Sequence, residues 1–226
     1  MNTGVAGTLS AKADGPLKIA VPRGALFGET LDALDAAGVD TSAARGDSRS
    51  LIFPGEQVTL VTMRPSDVPT YVEAGAADVG ITGKDVLLEQ SDRVVYELLD
   101  LGYGRCRMVL AGRVGDASLG ESQRRLGMTR IATKYPRIAE RYFEQSGRQI
   151  EAIEVKGSVE LAPLIGLADG IVDLVATGRT LEENDLEVRE EIVVCTARFV
   201  SNRVAHKLRA AEVDDLAERL RKATSG

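Results

Sequence analysis

From Leu17 onward the chain alternates short β-branched, apolar runs with segments whose apolar residues recur at helical spacing, and this alternation restricts its fold more than any other feature. Strands reached through intervening helices pair in parallel, so the expected class is α/β. Leu17–Val21 reads as the first strand. Leu26, Leu31, Leu34 and Val39 mark the helix behind it, which Gly38 stops. Further strands are expected at Gln57–Met63, Asp78–Thr82 and Val94–Leu99, with helices from Pro65 to Ala74 and from Lys84 to Glu89. Pro65 suits a first helical turn, where its missing N–H costs nothing.

A second series follows Gly102-Tyr103-Gly104. Its strands are expected at Arg107–Ala111, Arg130–Thr133, Glu151–Val155 and Ile171–Val175, with helices at Arg137–Gln145 and Val159–Leu167. A β-like run, Ile192–Val200, and an amphipathic helix carrying Val213, Leu216 and Leu220 complete the pattern. Two domains are expected: a discontinuous first one over 16–104 and 190–226, and a second over 105–189. Residues 1–15, rich in Gly, Ala, Ser and Thr, read as a flexible tail. Open parallel sheets bind ligands beyond the carboxyl ends of their strands, which places the expected site in an interdomain cleft.

The chain of 226 residues is long enough to bury a substantial core. Its formal net charge of −6, with Lys and Arg scattered, disfavours nucleic acid, so an anionic ligand must be held locally. Cys106 and Cys195 lie far apart without CxxC spacing or Cys/His neighbours and read as buried, unreacted thiols rather than a zinc or redox pair. No apolar run approaches the ~20 residues of a membrane span. Met1–Gly15 lacks a secretory pattern, so a cytoplasmic location is expected.

The segment Ile171-Val172-Asp173-Leu174-Val175-Ala176-Thr177-Gly178-Arg179-Thr180-Leu181 runs from an apolar strand through small and hydroxyl residues into a helix start. Unpaired N–H groups at a helix N-terminus favour an anion, Gly178 permits close backbone approach, and Thr177 and Thr180 add hydroxyl donors. Asp173 would repel phosphate; it suits ribose hydroxyls or a magnesium-bound water. The tetrapeptide alone fits simple helix capping better than it fits an anion site.

The longer pattern is more specific. Glu160, Gly166, Ala168, Ile171, Asp173-Leu174, Thr177-Gly178 and Thr180-Leu181, at their spacing, resemble the signature of the ATP phosphoribosyltransferases. The similarity extends through Arg64–Val72, Gly75–Asp85 and Ile131–Pro136, from about Leu17 to the last helix. It implies a pair of α/β domains resembling type II periplasmic binding proteins. It also implies transfer of the 5-phosphoribosyl group from phosphoribosyl pyrophosphate to N1 of ATP, the first step of histidine biosynthesis, with Mg2+ carried by the pyrophosphate. Such a displacement builds oxocarbenium character at C1′ and negative charge on the leaving group, so cations matter most.

The resemblance gives Arg49 the catalytic role of helping pyrophosphate leave. The substrate-binding set adds Arg23, carried over from it, to Arg64, Lys84, Lys134 and Tyr135, which stand at strand ends or a helix start, and to Glu160, Asp173, Thr177, Gly178, Arg179 and Thr180 of the signature segment. On residue chemistry alone Arg64 also fits a surface salt bridge, Lys84 an exposed first helical turn, and Glu160 a helix-dipole partner. Many members carry Lys-Gly-Arg-Leu after the first strand, whereas this chain has Arg23-Gly24-Ala25-Leu26, so the second cation is absent. The chain's length matches the short form of the family, which implies a catalytic-subunit dimer and a regulatory subunit resembling histidyl-tRNA synthetase in a hetero-oligomer. A small-anion solute-binding module is the alternative.

Overall fold

A computed structural model describes residues 15–46, 49–117, 119 and 127–225. The tail expected over 1–15 lies outside these residues, apart from Gly15. Contacts divide the chain into two units, one of Met1–Thr82, Asp92–Tyr103 and Ala197–Gly226, the other of Gly83–Ser91 and Gly104–Thr196.

In the first unit, β1 (Leu17–Pro22), β2 (Ile52–Phe53), β3 (Val58–Met63), β4 (Val79–Gly83), β5 (Val95–Asp100) and β11 (Ala197–Asn202) form a sheet ordered β2-β3-β1-β4-β11-β5. β1 is parallel to β3 and β4, while β2 and β5 join at the edges through antiparallel pairs. Ile19, Ala20 and Val21 are fully buried, as a continuous apolar run requires of a central parallel strand. Helix α1 (Phe27–Ala36) turns Leu31 and Leu34 into this core, and Gly38, at φ +78°, ends it. The helix α9 (Ala210–Thr224) adds Val213, Leu216 and Leu220 to the same core at helical spacing. The expected Pro65–Ala74 helix begins as a 3-10 turn, Pro65–Asp67, before α3 (Val68–Glu73). Two short helices, α2 (Ser42–Arg45) and α8 (Arg203–Leu208), were not expected. Asn202 caps α8 by accepting the N–H groups of Val204 and Ala205, and its amide donates to the carbonyls of Val72 and Glu73.

In the second unit, β6 (Cys106–Arg113), β7 (Thr129–Thr133), β8 (Ile150–Glu154), β9 (Gly170–Val175) and β10 (Leu186–Cys195) form a sheet ordered β10-β6-β9-β7-β8. β7 is parallel to β8 and β9, and β6 is antiparallel to β9 and β10. Strand alternation divides the apolar residues between two clusters. Val109, Ala111, Ala132 and Ile171 pack with Ala162 and Leu181, whereas Met108, Leu110, Ile131 and Val172 pack with Ile138, Ala139 and Phe143 of α5 (Pro136–Gln145).

Three features depart from the sequence reading. The helix expected over Val159–Leu167 is a single turn, α6 (Leu161–Leu164), because Pro163 offers no N–H and Gly166 adopts φ +76°. The run Ile192–Val200 is two strands in different sheets. The chain switches partners at Thr196, whose carbonyl accepts from Lys84 N–H, while Ala197 N–H donates to the Tyr103 carbonyl. Finally, contacts group 83–91, Gly104 and 190–196 with the second unit rather than the first. Helix α4 (Lys84–Glu89) packs on α5, and the Glu89 carboxylate accepts the N–H groups of Arg137 and Ile138 at its start.

Candidate functional site

Parallel pairing brings the candidate arginines of the first unit to one end of its sheet. Pro22 pairs with Met63, so Arg23 and Arg64 leave β1 and β3 side by side, and Arg23 N–H donates to the Met63 carbonyl at 2.7 Å. The Arg23 guanidinium donates through Nε to Thr62 Oγ1 and through Nη2 to the Ser50 carbonyl, each at 2.9 Å. Ser50 follows Arg49, and Thr62 N–H donates to the Leu51 carbonyl just before β2. Strand register and Arg23 therefore tether the Arg49 backbone to the carboxyl end of β1 and β3. Arg49 and Arg64 are exposed, and neither joins a salt bridge among the described residues. Gly24 adopts φ +85°, and Ala25, where relatives of the resembled family often carry a second cation, is an exposed methyl group.

In the second unit the turn after β9 lines a pocket of about 260 Å3 with Glu160, Asp173, Leu174, Val175, Ala176, Thr177, Gly178, Thr180 and Leu181. Gly178, at φ +87°, precedes α7 (Arg179–Glu183). This left-handed conformation favours glycine and turns the chain sharply enough for the hydroxyls of Thr177 and Thr180 to border one pocket. Because α7 has only five residues, its dipole adds little, and the anion-holding capacity rests on first-turn N–H groups and hydroxyls. Arg179 does not line the pocket: its guanidinium is exposed and donates to Glu183 at 2.9 Å.

Asp173 and Glu160 are the acidic residues lining the pocket, and Asp173 is the more constrained of the two. Its Oδ1 accepts Leu174 N–H at 2.9 Å, and Oδ2 lies 3.9 Å from Lys134 Nζ. Burial pushes the carboxyl above its ordinary range. The Leu174 N–H and the Lys134 charge pull it back in part, and the nearby Glu160 carboxylate pushes it further up. Glu160 precedes the single turn of α6 without capping it, so the helix-dipole explanation for this residue loses most of its force. Two carboxylates with lone pairs to spare suit ribose hydroxyls, whereas an all-protein magnesium cage needs more oxygens.

Lys134 and Tyr135 follow β7, which is parallel to β9, and so emerge at the same strand end as the turn. Thr133 orients them: its Oγ1 donates to the Val172 carbonyl at 2.6 Å and accepts Tyr135 N–H at 2.8 Å. The Tyr135 hydroxyl donates to Asp85 Oδ2 at 3.4 Å. Burial raises the Tyr135 pKa, and the carboxylates of Asp85 and Asp173 raise it further, so the hydroxyl stays a protonated donor. Asp85 is itself buried at the start of α4. Burial lifts its carboxyl above the ordinary range, against the pull of its own N–H, the Val86 N–H and Tyr135. A Cβ at Gly83 would stand 2.1 Å from Asp85 Oδ1, so a larger residue there would displace that carboxylate. Lys84, the candidate in this stretch, is half-buried.

Sequence reasoning left Asp85 and Thr133 out of the candidate set. A glycine followed two residues later by an acid in a first helical turn was the available signal for Asp85. Thr133 had none, since its role depends on the parallel pairing of β7 with β9.

The family model described as ATP phosphoribosyltransferase matches residues 64–222. A relative from Rubrobacter xylanophilus, named ATP phosphoribosyltransferase, is 56% identical over 201 residues, covering 88% of this chain and 93% of its own. A second of that name from Bacillus licheniformis is 47% identical over 206 residues, covering 90% and 93%. Among solved structures, a chain of the ATP phosphoribosyl transferase (HisG:HisZ) complex from Thermotoga maritima aligns with a TM-score of 0.78 at 38% identity, covering 92% of this chain and 98% of that one. The periplasmic VFT2 domain of Bordetella pertussis BvgS aligns with a TM-score of 0.56 at 12% identity over 92% of each chain, a likeness of fold alone.

Proposed function

The chain belongs to the ATP phosphoribosyltransferase family, and from that premise we propose how its residues divide the reaction. The enzyme transfers the 5-phosphoribosyl group from phosphoribosyl pyrophosphate to N1 of ATP and releases pyrophosphate, the first step of histidine biosynthesis. The turn Thr177–Thr180 holds the 5′-phosphate through backbone N–H groups and hydroxyls. Glu160 and Asp173 accept the ribose hydroxyls, and Lys134 offsets their charge. Tyr135, kept protonated, turns its single O–H from Asp85 to the bound substrate. Lys84 adds a cation at the start of α4.

The arginines at the end of β1 and β3 receive the pyrophosphate. Arg49 stabilises the charge that grows on it as the C1′–O bond breaks, while Arg23 and Arg64 bind it. Magnesium arrives on the substrate's pyrophosphate. The observation that carries this division is the grouping of Glu160, Asp173, Thr177, Gly178 and Thr180 around a single pocket, with no arginine among its lining residues. Arg179, by contrast, contributes only its backbone to the turn.

Similarity to a chain from the HisG:HisZ complex supports a regulatory partner subunit, and a dimer of catalytic subunits belongs to the same proposal. Among the described residues no helix is long and apolar enough to cross a membrane; a cytoplasmic location is the matching proposal. The small-anion binding module is not favoured, because relatives carrying the enzyme name are 43–56% identical whereas the BvgS domain shares 12%. Mixing the protein with ATP, phosphoribosyl pyrophosphate and magnesium, with and without the partner subunit, tests the reading through the absorbance of phosphoribosyl-ATP. Absence of product in both mixtures would refute it.

A further inference from the structure

The two cysteines, 89 residues apart in sequence, are direct cross-strand partners in the antiparallel pairing of β6 with β10. Directly opposed residues of an antiparallel pair project from the same face, with Cα atoms about 4.5–5.5 Å apart, which lies inside the roughly 4.4–6.8 Å span that a disulfide bridges. Cys106 Sγ lies 3.9 Å from the main-chain carbonyl oxygen of Cys195. Both are thiols in this structure. Their accessibility differs, Cys195 being buried and Cys106 half-buried.

We propose that Cys106 and Cys195 form a redox-sensitive dithiol that closes to an intramolecular disulfide by exchange with a low-molecular-weight disulfide. Cys106, the accessible thiol, attacks as thiolate on one sulfur of R–S–S–R, giving Cys106–S–S–R and releasing RS−. The Cys195 thiolate then attacks the Cys106 sulfur and releases the second RS−. The two thiol protons end on the departing thiolates, and the two electrons lost by the protein reduce the small disulfide.

The chemistry has local support. A hydrogen bond from the Cys195 side chain lowers the Cys106 pKa, burial opposes it, and the Asp85 carboxylate opposes it as well. The opposing influence of Asp85, and that of Cys106 on Tyr135, show the pair to be an electrostatic neighbour of those two residues, so oxidation removes an ionisable group beside them. Exchange with a small disulfide is reversible, so the state of the dithiol follows the redox poise around it.

The test uses the whole chain equilibrated with mixtures of reduced and oxidised glutathione, quenched with a thiol-alkylating reagent and read by intact and peptide mass. The expected product is a monomer lacking both alkylatable thiols and yielding a linked Cys106–Cys195 peptide that dithiothreitol reverses. In Cys195→Ser the reaction should stop at one glutathione adduct on Cys106, and in Cys106→Ser the buried Cys195 should stay unmodified. Both thiols remaining alkylatable under oxidised glutathione, adducts on both cysteines of the wild type, or linkage only between chains would each overturn the proposal. None of these readouts depends on turnover, so they stand or fall separately from the transferase reading.

Discussion

The strand ends of the two units carry opposite chemistry. In the first unit the groups leaving β1 and β3 are arginines, Arg64 exposed and Arg23 held by neutral partners, Thr62 and the Ser50 carbonyl, with the exposed Arg49 just before β2. In the second, the strand ends of β7 and β9 gather half-buried Asp173, Glu160 and Tyr135 with the exposed hydroxyls of Thr177 and Thr180; Asp173 is already held through Leu174 N–H and Lys134, and Tyr135 through its contact with Asp85. Their titration differs in the same way. Burial raises Asp85 and Asp173, whereas at Asp35 of the first unit burial is outweighed by hydrogen bonds from Thr41 and Arg45, and its carboxyl is lowered. The difference teaches a division by step: a preorganised acceptor set suits a neutral, hydroxyl-bearing ground state, while hydrated cations gain most when charge develops on a leaving group.

The largest expected effect breaks the cationic half. Arg49→Ala should lower kcat by about 10²–10³-fold, the scale of losing one donor to developing charge, with little change in the KM for phosphoribosyl pyrophosphate. Steady-state kinetics checks it, and an unchanged kcat removes Arg49 from catalysis. Next, Asp173→Asn should weaken phosphoribosyl pyrophosphate binding by roughly ten- to a hundredfold, because charge-assisted hydrogen bonds are worth about 1.5–3 kcal/mol. Calorimetric titration reads that loss.

Gly178→Ala meets no clash, since its Cβ would lie 4.0 Å from Val175 Cγ1, but it forces a methyl-bearing residue to φ +87°. The strain should cost about 1–2 kcal/mol of stability, visible in chemical denaturation, and raise the substrate KM as the turn relaxes.

A smaller effect sharpens the electrostatic contrast. The folded pKa values of Asp85 and Asp173 lie above their unfolded values, so between the two the folded state holds more protons. The stability this contributes is complete below the unfolded pKa, near 3.8, and is lost as pH rises through the raised folded value. Asp85→Asn should therefore gain stability relative to wild type as pH climbs through that window, whereas Asp35→Asn should lose it, since its shift has the opposite sign. Denaturant midpoints across pH decide whether the two units differ as described. Smallest of all, Arg179→Ala should leave kinetics unchanged and shift stability by no more than about 0.5 kcal/mol, the worth of an exposed i,i+4 pair.

What the sequence disclosed follows the range of the interactions involved. Helix α4 has the bounds that its apolar spacing and preceding glycine suggest, and β9 with its turn was legible because a strand, a glycine and hydroxyls stand together. Elements set by distant partners were not legible. The grouping of α4 with the second unit depends on Glu89 meeting the start of α5, 48 residues on. The division of Ile192–Val200 depends on which strands receive each half, and uniform apolar periodicity across Thr196 concealed it. Helix α6 is shorter than its apolar spacing suggests because Pro163 and Gly166 interrupt it. In the site, Asp173 and Gly178 followed from local chemistry, while the convergence of Arg23, Arg49 and Arg64 needed the register of β1, β2 and β3. The facing of Cys106 and Cys195 likewise needed the β6–β10 ladder.

The central claim, that the second unit's turn binds the phosphoribosyl group while Arg49 serves its departure from pyrophosphate, is tested most directly by measuring phosphoribosyl pyrophosphate binding to Asp173→Asn and Arg49→Ala side by side, without ATP. The account predicts that Asp173→Asn binds at least about tenfold more weakly than wild type while Arg49→Ala stays within a few-fold. Equal or greater loss in Arg49→Ala would contradict it.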